Sequence, residues 1–97
     1  LVQVEKKSTL LHRSRIDIIA SILRAAEGGA RKTHIMYRCN LSFRQLHIYL
    51  NLLEERGLLE SVRTRSGEKN DSSTYKTTRK GRSFIQAYRN IRAILSG

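Results

Sequence analysis

Ser42, Arg44, Gln45, His47 and Asn51 bring several kinds of hydrogen-bonding side chain into one short stretch. Arg44 offers a planar fork of donors, Gln45 and Asn51 each set a donor beside an acceptor, and Ser42 and His47 can act either way. That assortment suits base edges in a duplex major groove, where an arginine fork pairs with guanine and an amide with adenine. A second set, Lys32, Thr33, Arg63, Arg65, Lys76, Arg79 and Lys80, suits phosphate oxygens, which fix register but carry no sequence information. Bond-making chemistry lacks its usual residues. Glu54 and Glu55 are adjacent and diverge on a helix, no Ser, His and Asp grouping is apparent, and no glycine-rich phosphate loop occurs. A binding protein is expected, not an enzyme, and no cofactor is implied. Cys39 with His12, His34 and His47 could supply metal ligands, but no pair has metal-site spacing, so no metal is expected.

The elements that must position these groups can be read from the apolar pattern. From Asn40 to Glu60, Leu46, Leu50 and Leu53 recur at i, i+4, i+7, with Leu41 ahead of them and Tyr49 widening the stripe. Ser42 is placed to cap this helix and Gly57 to close it. Phe43, Arg44, Gln45, His47, Ile48 and Asn51 then lie off the stripe on the front half, and Glu54 and Glu55 are confined to the last turn. A helix macrodipole favours the opposite arrangement by about 0.3–1 kcal/mol, so stability alone does not ask for it. A helix whose positive end meets a polyanion does.

Upstream, Ser14 with Asp17 resembles a capping box, and Ile16, Ile19, Ile22, Leu23 and Ala26 form a helical stripe that stops at Gly28 and Gly29. A shorter helix is expected over Lys32–Cys39, with Ile35, Met36 and Cys39 inward. Asn40 and Leu41 then turn into the helix above, which makes a helix-turn-helix. Beyond Gly57, Leu58–Arg65 and Ser73–Thr78 read as two strands around the turn-rich SGEKNDS, a β-hairpin or wing. Thr78 can cap a last helix, whose Phe84, Tyr88, Ile91 and Leu95 form a seam with Ile94 beside it. Tyr88, Ile91, Ile94 and Leu95 are the expected contact with a second copy. The fold expected is mainly α with a small β-hairpin: a winged helix-turn-helix with an extended C-terminal dimerisation helix. Residues 1–13 would be a basic arm, 14–78 the winged helix-turn-helix domain, and 79–97 the dimerisation helix.

With 97 residues and neither Trp nor Pro, the chain is expected to form one small domain. Its net charge of +11 calls for a phosphate-bearing partner. The charge is uneven. Residues 1–39 carry eight basic and three acidic groups, residues 40–60 two and three, and residues 61–97 nine and two. The expected reading helix is thus nearly neutral between basic flanks. The single cysteine cannot form an internal disulfide, as in an intracellular protein. No apolar run approaches the ~20 residues that cross a bilayer. No membrane partner is expected, and the location would be cytoplasmic, with the nucleoid.

RSRIDIIASIL at Arg13–Leu23, KTHIMYRCNLSF at Lys32–Phe43, YLNLLEERGLL at Tyr49–Leu59 and YKTTRKG at Tyr75–Gly81 carry a family resemblance. The chain resembles archaeal winged-helix DNA-binding proteins, in particular the small dimeric chromatin-associated group and related predicted transcription regulators. The resemblance implies a winged helix that binds duplex DNA and dimerises through its last helix. A dimeric transcription regulator is the leading expectation. An architectural chromatin protein that binds DNA with little sequence preference is the alternative closest to it. A winged-helix protein-interaction module is a third, favoured by the exposed Phe43 and Ile48.

Overall fold

A computed structural model describes residues 13–63 and 73–96. Among these, helices α1 (Arg15–Ala25), α2 (Lys32–Cys39), α3 (Phe43–Glu55) and α4 (Arg79–Ser96) and strands β1 (Ala30–Arg31), β2 (Leu59–Arg63) and β3 (Ser73–Thr77) follow in the order α1-β1-α2-α3-β2-β3-α4. The fold is mainly helical with a small antiparallel sheet. All of the expected 1–13 arm except Arg13, together with the wing tip and Arg65, lies outside the described residues.

Serine capping boxes start both long helices of the body. At α1 the Ser14 hydroxyl accepts from the Asp17 amide at 3.1 Å, while the Asp17 carboxylate accepts from the Ser14 amide at 3.1 Å. At α3 the Ser42 hydroxyl accepts from the Gln45 amide at 3.1 Å, and Gln45 Oε1 accepts from the Ser42 amide at 3.0 Å. Each box satisfies two donors that a helix start would otherwise leave without partners. The turn between α2 and α3 is made by Asn40, which adopts a left-handed conformation (φ 55°) that few residues other than glycine tolerate. It lets the Leu41 amide bond back to Met36 O at 2.9 Å. Gly57 (φ 74°) ends α3 in the same manner, with the Leu58 amide on Leu53 O at 2.8 Å.

Ile18, Ile22 and Leu23 of α1 and its C-cap residue Ala26 meet Ile35 and Cys39 of α2, Leu41, and Leu46, Leu50 and Leu53 of α3 in one core closed by Leu59 and Ile85. The α3 row is the one expected. The α1 row is shifted: Ile18 replaces Ile16, which is exposed. Ile16 shares its row with Ala20, which is buried, but stands one turn nearer the helix start, opposite Ile91 and Leu95 of α4.

Among the described residues the sheet has three strands rather than the two of a simple hairpin, in the order β1-β3-β2. Ala30 pairs with Tyr75 and Arg31 with Thr74, so the segment after Gly29 joins the outer edge of β3. Two residues are too few for an alternating pattern to register. The buried Thr77 ties this sheet to α1, donating its hydroxyl to Leu23 O at 2.6 Å and its amide to Ala26 O at 3.0 Å. Those bonds satisfy carbonyls at the end of α1.

Candidate nucleic-acid interface

With Leu46, Leu50 and Leu53 buried, the opposite face of α3 is turned to solvent. Arg44 and Ile48, spaced i, i+4, share one row of it. Phe43, His47 and Asn51 form the next. Ile48 and Phe43 are 56% and 65% exposed, unusual for residues of their size, and Phe43 meets His47 edge to face at 4.4 Å between ring centres. The first turn of α3 holds no acid. The positive end of its dipole therefore adds to the Arg44 charge with no acid to offset it.

The two cap residues have less freedom than their side chains alone suggest. Ser42 accepts from the Gln45 amide, and Gln45 Oε1 is held by the Ser42 amide, leaving the Gln45 NH2 as its outward-facing group. Pairing with adenine through both ends of the amide would require the box to open. Ser42, Arg44, Gln45 and Asn51 are exposed, and His47 is half-buried beside Phe43.

Among the expected phosphate-binding residues, Lys32 stands half-buried in the first turn of α2, next to the exposed Thr33. Lys76 is exposed on β3 opposite Glu60, Arg63 ends β2, and Arg79 opens α4. Lys80 is differently employed. Its Nζ donates to Arg56 O at 2.8 Å, just past the end of α3. Thr78 adds two bonds at the same place, from its hydroxyl to Gly57 O at 2.6 Å and from its amide to Leu58 O at 3.0 Å. The Thr78 hydroxyl also accepts from the Gly81 amide at 3.1 Å and so caps α4. A cation at the wrong end of the α4 dipole thus sits at the favourable, negative end of the α3 dipole. Sequence spacing gave no sign of this, because Arg56 and Lys80 are joined only by the fold.

Arg13, the last residue of the expected basic arm, is tied to the fold in a way that spacing likewise did not show. Its Nη2 donates to Asn40 O at 3.3 Å, which brings a cation from ahead of α1 to the helix-turn-helix turn.

Tyr88 belongs to an intrachain anchor. Its hydroxyl donates to the Asp17 carboxylate, Arg92 donates to the same hydroxyl at 3.2 Å, and the Arg24 and Arg92 guanidinium groups stand 5.6 and 5.8 Å from its ring centre. Hydrogen bonds from Tyr88 and Ser14 hold the Asp17 carboxyl below the usual carboxylate range. Ile91, Ile94 and Leu95 project beyond this anchor and are exposed. Ile91 and Leu95 border a groove of about 370 Å³ whose far wall includes Ile16 of α1.

Burial pushes the Cys39 thiol up, against the nearby Arg13 and Arg38, which keeps it in the unreactive form. Among the described residues no cluster of His, Cys, Asp and Glu could hold a metal ion. No helix among them is long and apolar enough to cross a membrane.

A helix-turn-helix whose second helix presents a polar front, followed by a strand pair and a further helix, defines a winged helix-turn-helix protein. The chain belongs to that family: its sequence profile matches residues 12–96. Among solved structures it is similar to Sso10a-2, a DNA-binding protein from Sulfolobus solfataricus, at 26% identity and a TM-score of 0.70, over 87% of this chain and 86% of that one. The S. aureus MepR–DNA complex has the same fold at 14% identity and a TM-score of 0.67, over 96% of this chain and 75% of MepR. So does Streptococcus pneumoniae FabT in complex with DNA, at 20% identity and a TM-score of 0.62, over 98% and 68%. Comparison with curated proteins gives no match.

Proposed function

We propose that this chain is a double-stranded DNA-binding protein acting as a homodimeric transcription regulator in the cytoplasm, at the nucleoid, and not as an enzyme. The observation that carries the reading is the front of α3. A capped, acid-free N-terminal turn is held rigidly by three buried leucines, while Arg44, Ile48 and Asn51 stand exposed on its outer face. The likeness to Sso10a-2, by name a DNA-binding protein, supports it.

In this reading residues 14–78 dock α3 into the major groove. Arg44, Asn51 and His47 face base edges, joined by Ser42 and the Gln45 NH2 where the cap leaves them free. Lys32, Thr33, Lys76 and Arg79 take phosphates, with Arg63 and Arg65 of the wing alongside and Arg13 added at the turn. Residues 79–97 pair two copies through Ile91, Ile94 and Leu95, so that two α3 helices meet successive half-sites about 34–36 Å apart.

The test is fluorescence-anisotropy binding to a pool of random duplexes at 50 and 200 mM salt, with sequencing of the bound fraction. Six to ten phosphate contacts lower affinity by about 10³–10⁵ across that interval, and a regulator still enriches a motif at the higher salt. The charge of +11 favours a second reading, an architectural protein, for which binding collapses with salt and no motif emerges. Exposed Phe43 and Ile48 favour a protein-docking module, and the absence of duplex binding at 50 mM salt would select it.

A further inference from the structure

Ile48 stands half exposed on the outward face of α3, with the donors Arg44 and Gln45 on its N-terminal side and Asn51, which offers a donor and an acceptor, three residues beyond it. Arg44, one turn earlier in the same row, has no acceptor. Gln45, three residues before Ile48, has its acceptor tied to the Ser42 amide at 3.0 Å and turns only its NH2 outward. Ile48, Gln45, Tyr49 and Leu52 border one groove against Arg15 and Ile19 of α1. On its N-terminal side Ile48 is therefore an apolar branch beside two donors, with no acid within one turn of it.

Resting on the DNA-binding reading, we propose that Ile48 is a specificity-determining residue that reads the C5-methyl group of a thymine. Of the four bases only thymine sets an apolar group beside an acceptor, its O4, in the major groove. Adenine and cytosine place an amino donor on that edge, where the fixed Gln45 NH2 meets it donor to donor. Guanine offers acceptors without a methyl group and suits Arg44. The preferred half-site thus contains thymine next to guanine on the strand facing α3. An exposed isoleucine also gains more from this contact than from water, since covering one methyl group on each partner removes apolar surface from solvent.

The decisive experiment resynthesises the duplex enriched from a random pool with deoxyuridine replacing each thymine in turn, which removes the methyl group and keeps O4. Anisotropy should find one thymine per half-site where the wild type loses about four-fold in affinity, the worth of one buried methyl. Ile48→Ala should bind thymine and deoxyuridine duplexes equally at that position and keep the wild-type response elsewhere. Circular dichroism of Ile48→Ala confirms the fold, which an exposed Ile→Ala change in a helix should leave intact. Equal wild-type binding to all the deoxyuridine duplexes overturns the proposal, as does an Ile48→Ala variant that still discriminates. Duplex binding with no enriched sequence overturns it too, while leaving DNA binding in place. No binding to any duplex overturns both.

Discussion

Lys80 illustrates how a single residue can mislead when only its charge is known. In the sequence it is one of three cations opening α4. In the fold its ammonium closes the far end of α3 on Arg56 O. Replacing it by Met should therefore lower stability to urea by about 1 kcal/mol, the worth of a charge-assisted bond near a helix end at an exposed site. The slope of log K against log salt for duplex binding should not change. Lys76→Met, at an exposed strand position, should do the reverse: stability within about 0.5 kcal/mol, and a slope shallower by about one phosphate. Asp17 makes a second prediction at this scale. Its carboxylate accepts from Tyr88 and from the hydroxyl and amide of the cap residue Ser14, and these bonds depress its pKa. A group whose folded pKa is depressed stabilises the fold above its unfolded value and loses that contribution as pH falls through the folded one. Asp17→Asn should thus lower the urea midpoint at pH 7, and the gap to wild type should shrink steadily below pH 4. A gap unchanged at pH 3 would mean that the carboxylate charge contributes nothing.

Among the elements, α3 was legible because local signals agree. Its Ser42 cap, its leucine row and its Gly57 stop all name the same helix, and the core confirms the row. The row on α1 was harder, since Ile16, Ile18 and Ile19 are equally apolar and the choice between them depends on where α4 crosses. β1 left no signal, being two residues recruited by β3 rather than by their own pattern. The base-reading set was legible in kind but not in detail, because the tie between Gln45 and Ser42 alters what Gln45 can offer. The junction of α3 and α4 was invisible to pattern altogether, and its tightness is testable. A Cβ on Gly81 would lie 2.4 Å from Leu58 O and 2.5 Å from Thr77 Cγ2. In an open helix Gly→Ala gains about 1 kcal/mol. Here the obstacle is backbone, and overpacking costs about 1–3 kcal/mol or more, so Gly81→Ala should destabilise. Urea unfolding gives the sign directly, and a stabilised variant would mean that the α3–α4 junction is loose.

Across the whole molecule two demands pull in opposite directions. An 18-residue helix is about 27 Å long, and the buried residues of α4, Gly81 and Ile85, lie in its first two turns. Past the Tyr88 anchor, Ile94 and Leu95 are 77% and 80% exposed, an apolar end that a second copy would cover. Each copy, however, carries +11, and two such chains repel. Salt screens that repulsion beyond a Debye length, about 10 Å at 0.1 M and shorter at higher salt, so self-association should tighten as salt rises. Duplex binding should weaken over the same range, because each phosphate contact returns its counterions. Sedimentation equilibrium at 50 and 500 mM salt should therefore show the dimer growing while anisotropy shows the complex failing. DNA would take the place of salt in neutralising the pair, which couples dimerisation to binding. Ile94→Lys with Leu95→Lys should leave a folded monomer at both salt concentrations, since neither side chain touches the core. Its duplex affinity should fall well below that of the wild type, toward the affinity of one α3 helix. A double variant that stays dimeric would move the interface off α4, and one that binds as tightly as the wild type would mean that a single copy is the binding unit.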